Sequence, residues 1–227
     1  MEKKLTAEQI ALIDETLVLN ELSYEDIKYE VLDHVACEIE TIMASDEIGF
    51  DVALKIVFEK WKTQLNPATY GLTLGFNFSG PKIAMSKMSK IAINEFKWSF
   101  IMSLIIMIFI KLMTYSFGIT DGFVDVLRMV IKISLFGSFG LYFMGKLKLY
   151  KSKCKTTFSE LYSRRFYLII VYTIAFAFDV FKILPNYTPP EEIIVSLIFI
   201  LLPLFYTLSA LTLLVKHYKL KEKYQIN

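Results

Sequence analysis

Apolar residues recur along this chain with two different rhythms, and the change between them divides it. From Thr6 to about Leu65 the spacing is that of amphipathic helices. Thr6 and Gln9 fit a capping box, and Ile10, Ile13 and Leu17 then share one face. Ser23 and Asp26 mark a second start, with Tyr24, Ile27, Val31, Val35, Ile39 and Ile42 following at steps of three and four. Past Gly49, the residues Phe50, Leu54, Val57, Phe58, Trp61 and Leu65 repeat the pattern. Each such helix alone would be marginal in water, so the pattern predicts three helices that bury their stripes together over 1–65.

Beyond residue 97 the rhythm gives way to four apolar runs, at 98–117, 124–144, 166–184 and 193–215. Each has about 20 residues, the length that crosses roughly 30 Å of hydrocarbon at about 1.5 Å per residue. A helix apolar all round for that long is rare in a soluble core. Arg128 and Lys132 intrude near the start of the second run. The stretch between the two halves is different again. Pro67, Gly71, Gly75, Gly80 and Pro81 read as a linker, and Ile83, Met88 and Ile91 then alternate with Lys82, Lys87 and Lys90. That mixture fits either a segment lying on a membrane surface or a helical extension of the first run. The prediction is an all-α chain: a three-helix cytoplasmic domain (1–65), a linker and basic juxtamembrane segment (66–97), a four-helix transmembrane bundle (98–216) and a basic cytoplasmic tail (217–227).

Composition sharpens this division. Hydrophobic residues make up 55% of the 227, charged residues 21%, and the formal net charge is +2. The near-neutral total conceals a split, because residues 1–65 hold 6 Lys and Arg against 15 Asp and Glu, whereas 66–227 hold 19 against 8. The basic residues flank apolar runs instead of forming one patch, which argues against direct nucleic-acid binding. Fifteen Lys and Arg precede the first run, separate the second from the third, or follow the fourth, whereas the other two connections have none. By the positive-inside rule both termini are expected in the cytoplasm. The N-terminal residues lack the apolar core of a cleavable signal, so the first span is expected to be an uncleaved anchor. Cys37 and Cys154 fall in segments assigned to the cytoplasm and are expected as free thiols.

Candidate chemistry is sparse. Lys111, Lys132 and Asp179 lie inside the expected spans, where a charge needs a partner or water. Pairing of Asp179 with Lys111 or Lys132 would fix helix docking, and a polar transport path is the sharper alternative. Ser134, Gly137, Ser138 and Gly140 give one span a small-residue face suited to close helix packing, within the chain or between copies. Trp98, Tyr115, Tyr167 and Tyr206 sit near span ends as an interfacial belt would. In the acidic half Glu30, His34 and Glu38 share a helical face, but one imidazole without a second makes a poor transition-metal site. A solvated acidic face is the expectation, with no metal and no cofactor. No metalloprotease, nucleophile-elbow or nucleotide-loop pattern is present, so no enzyme activity is predicted.

The stretch LSYEDIKYEVLDHVACEIETIMASDEIGFDVALKIVFEKW carries Leu32-Asp33-His34, then Glu38 and Glu40, then Phe50 and Ala53-Leu54 after a turn. It resembles the small cytoplasmic helical module of bacterial membrane proteins described as HAAS-type or permease-prefix domains. The resemblance implies a protein-interaction module ahead of membrane spans, associated with PadR-like regulators or with transport systems. Asp33, His34, Glu38 and Glu40 would form its interaction motif, and no catalytic residue carries over. The reading is therefore a non-enzymatic signalling or regulatory membrane protein whose acidic domain binds a cytoplasmic partner and is drawn electrostatically to basic loops such as 146–155. A transporter or channel subunit using Lys111, Lys132 and Asp179, assembled from several copies, is the alternative.

Overall fold

Thr6 caps the first helix as its spacing predicts: its hydroxyl accepts the Gln9 N–H while the Gln9 side chain accepts the Thr6 N–H. In the computed structural model, which describes residues 4–74, 77–117, 121–152, 154–177 and 190–224, the chain is mostly helical. Helices α1 (Ala7–Leu19), α2 (Glu25–Ser45) and α3 (Phe50–Leu65) cover the amphipathic half, with α2 packed against both others. Ile13 and Leu17 of α1, Ile27, Val31, Val35 and Ile39 of α2, and Ala53 and Val57 of α3 are buried. Full burial of one such Ile, Leu or Val side chain stabilises by about 1.5–3 kcal/mol. The stripe drifts at its ends, where Ile10 is exposed and Met43 is buried in place of Ile42. Helix α1 ends in a Schellman pair, Leu22 N–H to Leu17 O and Glu21 N–H to Val18 O. Glu21 holds the left-handed position there, at φ 62°.

The stretch read as a linker carries short elements of its own among the described residues. Strands β1 (Pro67–Thr69) and β2 (Ser79–Pro81) pair antiparallel, with helix α4 (Gly71–Leu74) between them. Helix α5 (Lys82–Phe117) begins directly after β2 and continues through the first apolar run, so the basic segment is a helical extension of that run. The other helices are α6 (Asp121–Tyr150), α7 (Thr157–Arg164), α8 (Phe166–Ala177) and α9 (Pro190–Lys223). The segment read as a tail is likewise helical through Lys223.

Among the described residues, three helical stretches are long and apolar enough to cross a membrane: Lys82–Ser116, Asp125–Tyr150 and Leu197–Lys223. Their outward side chains are large and apolar; Phe109 and Leu112 are each 59% exposed and Met129 is 64% exposed. Water would make that surface an aggregation liability, whereas lipid solvates it. The third expected span begins with α8, and its remainder from 178 lies outside the described residues, as does Asp179.

The chain divides into two compact units. Unit 1 comprises Met1–Ala92, Cys154–Thr157 and Leu220–Asn227, so it gathers α1–α3, the hairpin, the start of α5, a piece of the α6–α7 connection and the C-terminal residues. Tyr29 of α2 and Tyr224 stack at 4.6 Å within it. Unit 2 comprises Ile93–Lys153 and Phe158–Lys219. Its apolar core is Ile131 and Leu135 of α6 with Leu197, Ile200, Leu201 and Leu204 of α9. Ile106, Met107 and Ile110 of α5 and Tyr172 of α8 pack against this core.

Candidate functional site

Helix α2 starts at Glu25 after Tyr24, which makes no side-chain cap, so the expected start signal at Ser23 does not close the helix. The first amide of a helix still needs an acceptor. Glu25 N–H finds it in the backbone carbonyl of Lys155, at 2.9 Å. The arrangement is reciprocal. Helix α7 begins at Thr157, and its first N–H donates to Asp26 Oδ1 at 2.8 Å while the Thr157 hydroxyl donates to Asp26 Oδ2 at 2.6 Å. Each helix start is thus satisfied by the other, across 131 residues of sequence. Asp26, Thr156 and Thr157 are all buried, and a carboxylate facing a helix N-terminus is also favoured by the helix dipole.

A charged rim surrounds this latch. Lys87 of α5 lies 3.6 Å from Asp26 Oδ2 and 3.1 Å from Glu30. Lys28 bridges Asp14 of α1 at 3.1 Å and Glu25 at 3.4 Å. Burial pulls the Lys28 ammonium down, but the Asp14 hydrogen bond and the charges of Glu25 and Asp14 outweigh it and raise it overall. The Lys155 ammonium sits 4.8 Å from the Tyr24 ring centre. Cys154 is buried beside them, and burial first, then the Glu25 charge, pushes its thiol up.

Unit 2 holds a second polar cluster that the sequence did not single out. Glu95 of α5 pairs with Arg165, both nearly buried at 10% and 4% side-chain exposure. Arg165 also donates to the Tyr206 carbonyl at 3.1 Å and to Ser209 Oγ at 3.0 Å, and lies 4.0 Å above the Tyr206 ring. Thr212 donates to the other Glu95 oxygen at 3.4 Å. The guanidinium fork and the carboxylate therefore neutralise each other among matched hydrogen bonds, which is how a buried ion pair is tolerated. Nearby, Tyr142 and Tyr162 stack at 4.4 Å, and each hydroxyl donates to the other's backbone carbonyl.

Of the residues expected to carry intramembrane chemistry, Asp179 lies outside the described residues. Lys111 is exposed on α5 and Lys132 is half-buried on α6. Asp125 and Arg128 form a surface i,i+3 pair at 3.1 Å. Ser138 is buried and bonds its own helix at Leu135 O, and Ser134 is half-buried. At Gly137 and Gly140 an added Cβ would meet nothing within 4 Å, so these glycines mark no close approach inside the described chain. Gly145 does: its Cβ would fall on the Tyr162 hydroxyl and 3.0 Å from Leu214. Trp98, Tyr115 and Tyr167 are exposed as belt residues would be, whereas Tyr206 is occupied by Arg165. In unit 1 Asp33 and His34 face solvent, Glu38 pairs with Lys60 at 2.9 Å, and Glu40 accepts the Leu5 N–H at 2.9 Å. Among the described residues no group of three or more His, Cys, Asp or Glu is placed to hold a metal. Comparison with protein-family models, with curated proteins and with solved structures gives no match.

Proposed function

We propose that this chain is a multi-pass regulatory membrane protein whose acidic helical unit binds a basic cytoplasmic protein and passes its occupancy to the membrane helices through the Asp26–Thr157 latch. One observation carries the reading. The N-terminal helices, residues 154–157 and the C-terminal residues belong to one compact unit. A chain that returns to the same unit after α5 and α6, and again after α8 and α9, makes an even number of crossings each time. Four spans satisfy that condition, with both termini on the cytoplasmic side given by the lysine-rich connections. The resemblance to HAAS-type modules points the same way, toward a protein-binding domain ahead of membrane spans in a bacterial plasma membrane.

Asp33 and His34 are exposed on α2, and Asp33 stands about two turns beyond Asp26 on the same side of the helix. A basic partner docking there would act on α2, whose first turn holds the first amide of α7. Glu95 and Arg165 favour a lock over a transport path, because their charges cancel and their hydrogen bonds are met within the cluster.

The test is a photo-crosslinking residue at position 33 of the full chain in native membranes. One dominant protein adduct, lost when Glu30→Lys is added or salt is raised, supports the reading. Absence of any protein adduct, together with solute flux in reconstituted vesicles that Glu95→Gln abolishes, would replace it with the transporter reading.

A further inference from the structure

Helix α5 opens with three lysines in nine residues, and they do not share one fate. Lys87 is held by Glu30 and Asp26, whereas Lys82 and Lys90 have no carboxylate within 4 Å among the described residues. Lys82, Ser86 and Lys90 follow each other at four-residue steps, so they form one stripe of the helix. Together with Lys87, Ile83 and Gln64 of α3 they line an open groove of about 450 Å³. That volume suits a small ligand. Its lining offers ammonium groups, a hydroxyl and an amide, and no carboxylate. Donors of this kind around an unneutralised positive charge suit a compact, multiply charged oxyanion.

We infer that this groove binds a phosphate-bearing anion, held between Lys82 and Lys90 with Ser86 and Gln64 as neutral donors. The phosphate could belong to a soluble compound or to a lipid headgroup. Counting along α5 favours the soluble source. Lys90 stands eight residues before Trp98, roughly 12 Å of helix, and Lys82 roughly 24 Å, whereas the headgroup layer is only about 5–7 Å deep. The groove and the acidic face at Asp33 share no residue, so anion binding stands or falls apart from partner capture.

Inorganic pyrophosphate titrated into the full chain in neutral detergent tests the soluble source. The expected result is saturable binding that weakens at least about fivefold in Lys82→Gln and again in Lys90→Gln, consistent with the effect of one lysine on an anionic surface. Both lysines are exposed and outside the latch, so an unchanged melting profile shows that the fold is intact. In the second arm, full chain in phosphatidylcholine vesicles is compared with chain in vesicles containing phosphatidylglycerol, reading amide exchange over 82–90. Protection only with phosphatidylglycerol, lost in the double variant, would assign the phosphate to lipid and overturn the soluble source. No pyrophosphate binding and no lipid-dependent protection would overturn the site.

Discussion

Replacing Asp26 by alanine removes two acceptors at once from the start of α7. Thr157 N–H, bonded at 2.8 Å, and its hydroxyl, bonded at 2.6 Å, then remain buried without their partner. An orphaned buried donor costs about 1–3 kcal/mol, and loss of a helix cap about 1 kcal/mol. These terms overlap, because the capping bond is one of the two, so the local cost is about 2–4 kcal/mol. Lys87 adds little: it stands 3.6 Å away with 31% of its side chain exposed, where solvent screens the pair. Asp26→Asn keeps one carbonyl oxygen for the Thr157 N–H and is expected to cost less than half as much. The assay is amide hydrogen exchange over 155–160 in the full chain in detergent. At about 1.4 kcal/mol per tenfold, Asp26→Ala should speed exchange there roughly 30-fold to 1,000-fold. Exchange elsewhere in α1–α3 should change far less. Equal protection of 155–160 in wild type and Asp26→Ala would show that the latch does not hold α7.

Three further outcomes follow from the same structure. Arg165→Met strands the Glu95 carboxylate and should cost about 3–5 kcal/mol in detergent melting, whereas Glu95→Met with Arg165→Met should recover much of it; equal losses would contradict a mutually neutralised pair. Cys37 is exposed while the buried Cys154 thiol is pushed up, so at pH 8 less Cys154 is thiolate. Iodoacetamide should modify Cys37 well ahead of Cys154, and unfolding should erase the difference. Gly145→Ala drives a methyl into the Tyr162 hydroxyl and Leu214 and should destabilise by about 1–3 kcal/mol, while Gly137→Ala should be neutral or slightly stabilising. A destabilising Gly137→Ala would reveal a close partner at that face.

The local parts of this fold were legible in the sequence because their causes are local. The capping box at Thr6 and the buried stripe Ile27–Val31–Val35–Ile39 depend on residues within a few turns. What escaped depends on distant groups. Pro67 and Gly80 read as chain breakers, yet Pro67 pairs with Pro81 and Ala68 with Gly80 across a short hairpin. Asp26 looked like a local start signal for α2 and instead caps α7. Glu95 falls just ahead of the expected first span and Arg165 in the connection before the third, so nothing local in the sequence marks them as partners. A single carboxylate between Lys90 and Lys97 was the signal available. The long apolar runs at 98–117, 124–144 and 193–215 match described helices because lipid-length hydrophobicity is a property of one segment at a time.

The central claim is that every lysine-rich connection lies on the side of the membrane that holds unit 1. Single cysteines introduced as Thr120→Cys, Ser152→Cys, Asn186→Cys and Tyr224→Cys, with Cys37 and Cys154 changed to serine, would be exposed to a membrane-impermeant maleimide on intact cells. Labelling of positions 120 and 186 but not of 152 and 224, with all four reacting after lysis, is the predicted result. Labelling of 152 or 224 on intact cells, or protection of 186 there, would contradict it.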